Sequence, residues 1–291
     1  MSTRFVHVAV TLFLVLFASS ITLPNTAHAD RVLDCVQHTD LDLHVRSCSE
    51  IIDSADRAAW AYVNRSWAFM DKGEPDRAIA DATKAIELDP KMAIAYVNRA
   101  GALLGKGDND RVIADATKAI TLDPKLAIAY VNLATAYINK GDFNRAITEY
   151  DTAIKLDANI AFAYNGRGWA YRNKGDFDRA IADYSQAIRI NPKFTIAYIN
   201  RSDVYSTKGE YDRVIADATE AIRIDPGAHL AFNNRGLAHK AKGDHDRAIA
   251  DFNQAIKLQP SFALAYVNWL RLCGRWRSGP GQYRLRRSAT H

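Results

Sequence analysis

The stretch AFAYNGRGWAYRNKGDFDRAIADYSQAIRINPKF, residues 161–194, decides the fold. Tyr164, Gly168 and Tyr171 stand at i, i+4 and i+7, one stripe of an amphipathic helix. Gly175 stops that helix and Asp176 starts another, where its carboxylate can cap free backbone N–H groups. Ala180, Tyr184 and Ala187 form the facing stripe, and Asn191-Pro192 ends the second helix. The segment predicts a pair of antiparallel helices joined by a short turn.

The same phrase is written six times, over 59–92, 93–126, 127–160, 161–194, 195–228 and 229–262, and a seventh copy opens at Ala263. A fixed period of 34 residues marks a helical solenoid, in which one unit cannot bury its apolar face alone. Ala85, Ala119, Ala153, Ala187, Ala221 and Ala255 recur late in the second helix. Ser66, Ala100, Ala134, Gly168, Ser202 and Gly236 recur in the first. Small side chains at these sites let two helix backbones cross closely. The expected fold class is all-α, a solenoid of stacked helix pairs.

In its aromatic, small, aromatic, Gly, Ala, aromatic, Ala, Pro order, the fourth copy resembles the tetratricopeptide repeat family. The residues that carry the likeness are Tyr164, Gly168, Tyr171, Gly175, Ala180, Tyr184, Ala187 and Pro192. Departures are Ala158 in place of Pro, and Leu103, His239, Ala82, Ala116 and Ala218 in place of aromatics; they are expected to loosen packing locally. The resemblance implies a right-handed superhelix whose first helices line a concave, peptide- or protein-binding groove.

The ends of the chain lie off the repeat frame. Arg4 precedes an apolar run from Val8 to Phe17, and Ala27-His28-Ala29 fits a signal-peptidase site. Residues 1–29 are therefore expected to be a cleaved secretory leader. An uncleaved anchor is disfavoured because Ser19 and Ser20 interrupt the run and a span needs about 20 apolar residues. Residues 30–58 form a capping segment, with 44–53 resembling a lone second helix. There Cys35 and Cys48 are expected to pair, as oxidising compartments favour. Export and pairing together point to a bacterial periplasm or the exterior. Residues 263–274 read as a partial seventh repeat or capping helix. Residues 275–291 read as a basic disordered tail, either native or a frame-shifted ending.

The net charge of +5 suggests nucleic acid and misleads. Arg271, Arg275, Arg277, Arg284, Arg286 and Arg287 lie in the last 29 residues, which hold no acid, so the remainder carries a net charge of −1. That balance excludes an electrostatic footprint for phosphate. Arg65, Arg99, Arg167, Arg201 and Arg235 recur on first helices, and Asp81, Asp115, Asp183, Asp217 and Asp251 on second helices. They predict inter-helix salt bridges, each worth about 0–1 kcal/mol. Catalytic and phosphate-cradling motifs are absent from the sequence, which argues against an enzyme and implies no cofactor. His239 and His245 flank a turn, but their packing and turn positions argue against a metal site.

Away from its partner, each first helix presents a second stripe. It reads Trp60, Asn64, Trp67 in the first copy and Phe162, Gly166, Trp169 in the fourth. An Asn recurs on it at Asn64, Asn98, Asn132, Asn200, Asn234 and Asn268, broken only at Gly166. A side-chain amide can bond both N–H and C=O of a peptide backbone. The row is similar to the asparagine ladder in the tetratricopeptide superhelix of O-linked N-acetylglucosamine transferases. The competing assignment has each amide bond a neighbouring helix instead. Trp67 and Trp169 are candidate anchors. The sequence thus points to a non-enzymatic scaffold that binds protein or extended peptide in its groove. The second reading is a component of a larger envelope assembly, docking through its convex face or ends with the groove unused.

Overall fold

The computed structural model describes residues 26–37, 40–54 and 58–276; of 26–29 and 271–276 it describes only the helical backbone. Residues 1–25 of the expected leader and 277–291 of the expected tail lie outside the described residues, and so does the Cys273 side chain. Regular structure among the described residues is entirely helical, in two compact units divided between Ile190 and Asn191.

The first unit holds five helix pairs. They are α1 (Thr26–Val36) with α2 (Leu41–Asp53), α3 (Ala59–Asp71) with α4 (Pro75–Leu88), and α5 (Ala93–Lys106) with α6 (Asn109–Leu122). Next come α7 (Ala127–Asn139) with α8 (Phe143–Leu156), and α9 (Ala161–Asn173) with α10 (Phe177–Ile190). The second unit contains α11 (Thr195–Lys208), α12 (Tyr211–Ile224), α13 (His229–Ala241), α14 (His245–Leu258) and α15 (Ala263–Trp276). Within each unit a second helix packs on its own first helix and on the next. Successive first helices also touch: α3 on α5, α5 on α7 and α7 on α9, then α11 on α13 and α13 on α15. First helices therefore line the inner side of each stack, and second helices its outer side.

Local chemistry sets the boundaries. Gly107 and Gly209 take φ 75°, the left-handed conformation that ends α5 and α11 without a Cβ penalty. Asp108, Asp142 and Asp244 cap the following helices by accepting from the N–H of Arg111, Arg145 and Arg247. Past the second helix, Asp89 accepts from the Lys91 N–H at 2.9 Å. Asp157 does the same for Asn159 at 2.9 Å. That bond keeps the turn in the copy where Ala158 replaces proline.

The crossing point between paired helices is tuned copy by copy. Tyr184 and Phe252 are fully buried on α10 and α14, opposite Gly168 and Gly236. A Cβ on Gly168 would stand 2.9 Å from Tyr184 Cε1, and one on Gly236 2.8 Å from Phe252 Cε1. Where the second helix carries Ala82, Ala116 or Ala218, the first carries Ser66, Ala100 or Ser202. Those three alanines are fully buried. Leu103, in place of an aromatic, is likewise buried, against Ala100, Val112 and Ala136.

Arginine ties the pairs together. Arg65 grips Asp81 through Nε and Nη2, at 2.7 and 2.8 Å, and reaches back to Ser49 at 2.9 Å. Arg99 repeats this with Asp115 and Thr83, Arg167 with Asp183 and Asp151, and Arg235 with Asp251 and Thr219. Arg201 grips Asp217 in the same fork. The five aspartates held in the forks, Asp81, Asp115, Asp183, Asp217 and Asp251, are buried, so the inter-helix bridges expected from the sequence are not surface pairs. Loss of one arginine would leave a desolvated carboxylate, a costlier event than breaking a surface pair. The hydrogen bond from Arg65 to Asp81 raises the guanidinium above its ordinary value. Burial raises the Asp183 carboxyl, with Arg167 opposing the rise.

The capping segment is a complete helix pair, not the lone second helix expected. Its first helix, α1, runs from Thr26 through the expected cleavage point after Ala29. A disulfide joins Cys35 on α1 to Cys48 on α2, Cα atoms 4.8 Å apart. Both half-cystines are buried with Ile51, Ile52 and Ala61, so the bridge sits in the apolar core of the cap. Closing a loop of this size stabilises by about 3 kcal/mol.

Candidate peptide-binding groove

The recurring asparagines lie on the inner helices, but their amides point along the stack. Asn98 donates to Val63 O at 3.0 Å and to Ser66 Oγ at 3.1 Å; Asn132 donates to Val97 O at 3.1 Å. In the second unit Asn234 donates to Ser202 Oγ at 3.0 Å and Asn268 to Asn233 Oδ1 at 3.0 Å. Each bond reaches the first helix one repeat back. Asn98 is 3% exposed and Asn132 6%. The reading of Asn98, Asn132 and Asn268 as open rungs is therefore corrected: these buried amides donate to the preceding first helix, and Asn234 makes the same kind of bond from a half-buried position. Asn64 is 1% exposed, with neither amide atom hydrogen-bonded among the described residues, and cannot reach a ligand on the surface. Asn200, half-buried, stands near the start of the second unit.

The break at Gly166 has a steric cause. Tyr150 on α8 is fully buried, and its hydroxyl lies 3.0 Å from Thr135 Oγ1. A Cβ on Gly166 would stand 2.9 Å from Tyr150 Cε1 and nearer still to its Cζ and hydroxyl oxygen. Burial pushes the Tyr150 phenol up to about 12. An asparagine cannot occupy a site whose side-chain space belongs to the preceding repeat.

Of the two candidate anchors, Trp67 is half-buried and stacks on His44 of α2, ring centroids 5.8 Å apart and planes 23° from parallel. Trp169 is half-buried, with the Arg172 guanidinium 5.0 Å from its ring. Ile94, Ile128 and Phe162 are half-buried on the same stripe. Beside them Gly105 has open space where a Cβ would stand. Gly101, its neighbour on the stripe, instead backs onto Met70, 3.3 Å from a built Cβ. The missed signal was the distance between partners: Asn98 and Val63 are 35 residues apart, one repeat plus one residue.

Among the described residues, no group of three His, Cys, Asp or Glu could hold a metal ion, and no helix is long and apolar enough to cross a membrane. His239 is buried in a packing position, and His245 opens α14.

Models of the tetratricopeptide repeat match residues 63–127, 116–148, 161–194, 196–227 and 229–262, and a TPR repeat model matches 134–175. Together they reach from residue 63 to residue 262. The chain belongs to the tetratricopeptide repeat family. The repeats build a scaffold of the kind used in protein–protein interaction, not a catalytic centre. No curated protein matches the sequence.

Solved tetratricopeptide structures resemble it. A MamA protein is 30% identical, with a TM-score of 0.51; the match covers 56% of this chain and 96% of that one. YrrB, described as a TPR protein with an unusual peptide-binding site, is 25% identical with a TM-score of 0.51, over 64% of this chain and 96% of its own. A chain of the APC/C hetero-tetramer Cut9-Hcn1 is 17% identical with a TM-score of 0.72, and the match covers 84% of this chain. The present chain spans only 52% of that larger one, and the likeness there is one of fold.

Proposed function

We propose that this tetratricopeptide protein is an exported adaptor that holds a protein or extended peptide against the inner face of its first helices. The observation that carries the reading is the partly solvent-open apolar stripe of Ile94, Ile128, Phe162 and Trp169, with Gly105 open beside it. Aromatic and aliphatic anchors of this kind dominate the energetics of interfaces. The peptide-binding site named for YrrB supports the same use of the fold. Recognition then rests on apolar anchors, with the asparagines keeping the face rigid for them. Export is supported by the apolar leader in the sequence and by the Cys35–Cys48 bridge, which suits an oxidising compartment such as a bacterial periplasm.

Gly105→Arg tests the groove. The new side chain enters open space, so melting temperature should hold, while affinity for the captured partner should fall by about tenfold or more. Unchanged affinity in a folded Gly105→Arg variant would move the site elsewhere.

A further inference from the structure

The third repeat keeps the partner types of the arginine fork, with a glutamate in place of the aspartate, and lacks the arginine. In the second repeat Arg99 grips the Asp115 carboxylate, donates to the Thr83 hydroxyl at 3.2 Å and stands 5.7 Å from the Tyr96 ring centre. One repeat on, the equivalent positions are Glu149, Thr117 and Tyr130, while Leu133 replaces the arginine. Leu133 is buried and supplies an aliphatic stem without a guanidinium. Glu149 is half-buried, and no cation of the chain stands against it among the described residues. Arg145, one turn earlier on α8, is held by Asp142 and lies over Tyr137, 4.5 Å from its centre. A carboxylate, a hydroxyl and an aromatic face in this arrangement recognise a planar, bidentate cation.

We infer that Glu149, Thr117 and Tyr130 form a docking site for an arginine side chain of a partner protein, which completes from outside the fork that the other repeats complete from within. Burial raises the Glu149 carboxyl, as expected of a carboxylate with no counter-charge. A guest guanidinium would reverse that rise. The site lies between α6, α7 and α8, and it uses none of the apolar anchors of the inner stripe.

The test is a titration of the full chain with N-acetyl-arginine N-methylamide, followed by NMR. Saturable shifts should centre on Thr117, Tyr130 and Glu149, and the Glu149 carboxyl should titrate at lower pH when the probe is bound. Glu149→Gln should weaken association by about tenfold or more, since a charge-assisted pair is lost. Leu133→Arg should abolish it by supplying the fork internally. Should that variant not fold, Thr117→Val together with Glu149→Gln carries the comparison. The blocked lysine analogue should bind more weakly, because it cannot make the bidentate contact. Shifts that do not saturate, equal binding of the lysine analogue, or binding that survives Glu149→Gln would overturn the assignment.

Discussion

Gly166→Ala offers a test in which one substitution changes sign with its neighbour. In a helix interior, replacing Gly by Ala stabilises by about 0.5–1 kcal/mol, through the reduced freedom of the unfolded chain. Here the added methyl would meet Cε1, Cζ and the hydroxyl oxygen of Tyr150. Tyr150 cannot swing away easily, because it is fully buried in a cluster with Val131, Ala134, Ala146 and Ala163 and its hydroxyl is engaged by Thr135. Overpacking of such a site costs about 1–3 kcal/mol, so the net effect should be a loss of about 1–2 kcal/mol. Tyr150→Ala alone should cost about 3–5 kcal/mol, as large-to-small core changes do. In that background Gly166→Ala should gain about 0.5–1 kcal/mol, giving a coupling of about 1.5–3 kcal/mol across the cycle. Urea unfolding followed by far-UV circular dichroism on all four proteins reads this directly, provided the slopes agree. A Gly166→Ala effect of the same sign in both backgrounds would refute the steric account of the broken asparagine row.

Two further outcomes follow from the same contacts. Asn98→Ala and Asn132→Ala should each lower stability by about 1 kcal/mol by removing the amide bond to the Val63 or Val97 carbonyl, and should leave partner affinity intact. Paired melting and binding measurements on these variants check both halves. Glu149→Gln should stabilise the protein at neutral pH. The folded carboxyl lies above its ordinary value of 4.5, so folding takes up a proton. Its favourable contribution is full below the unfolded value and is lost as pH rises through the folded one. The gap between variant and parent in melting temperature should therefore be wide at neutral pH and close near pH 4.

Much of the fold was legible because a repeat states each packing position six times. The close crossings at Ala85 and its equivalents needed no coordinates. Pairing within a crossing was harder, since it requires matching volumes across two helices: Gly168 with Tyr184, Gly236 with Phe252. The asparagines misled for a geometric reason. Periodicity places Asn98 and Asn132 on the inner face, but cannot say whether an amide points out of the groove floor or along it. The stacking of first helices brings Val63 O within 3.0 Å of Asn98 and decides for the latter. The stacking of Trp67 on His44 was not legible, because α2 lies outside the repeat frame. The cap was half-read for the same cause, since α1 repeats no phrase of the 34-residue pattern.

The most direct test of the central claim places a photo-cross-linking side chain at Gly105, on the inner face, or at Glu87, exposed on the outer helix α4. Each variant is irradiated with the partner captured from envelope extract. An adaptor that works through its first helices should cross-link that partner from position 105 and not from position 87. Cross-linking from position 87 with none from position 105 would contradict the account and favour docking through the outer helices.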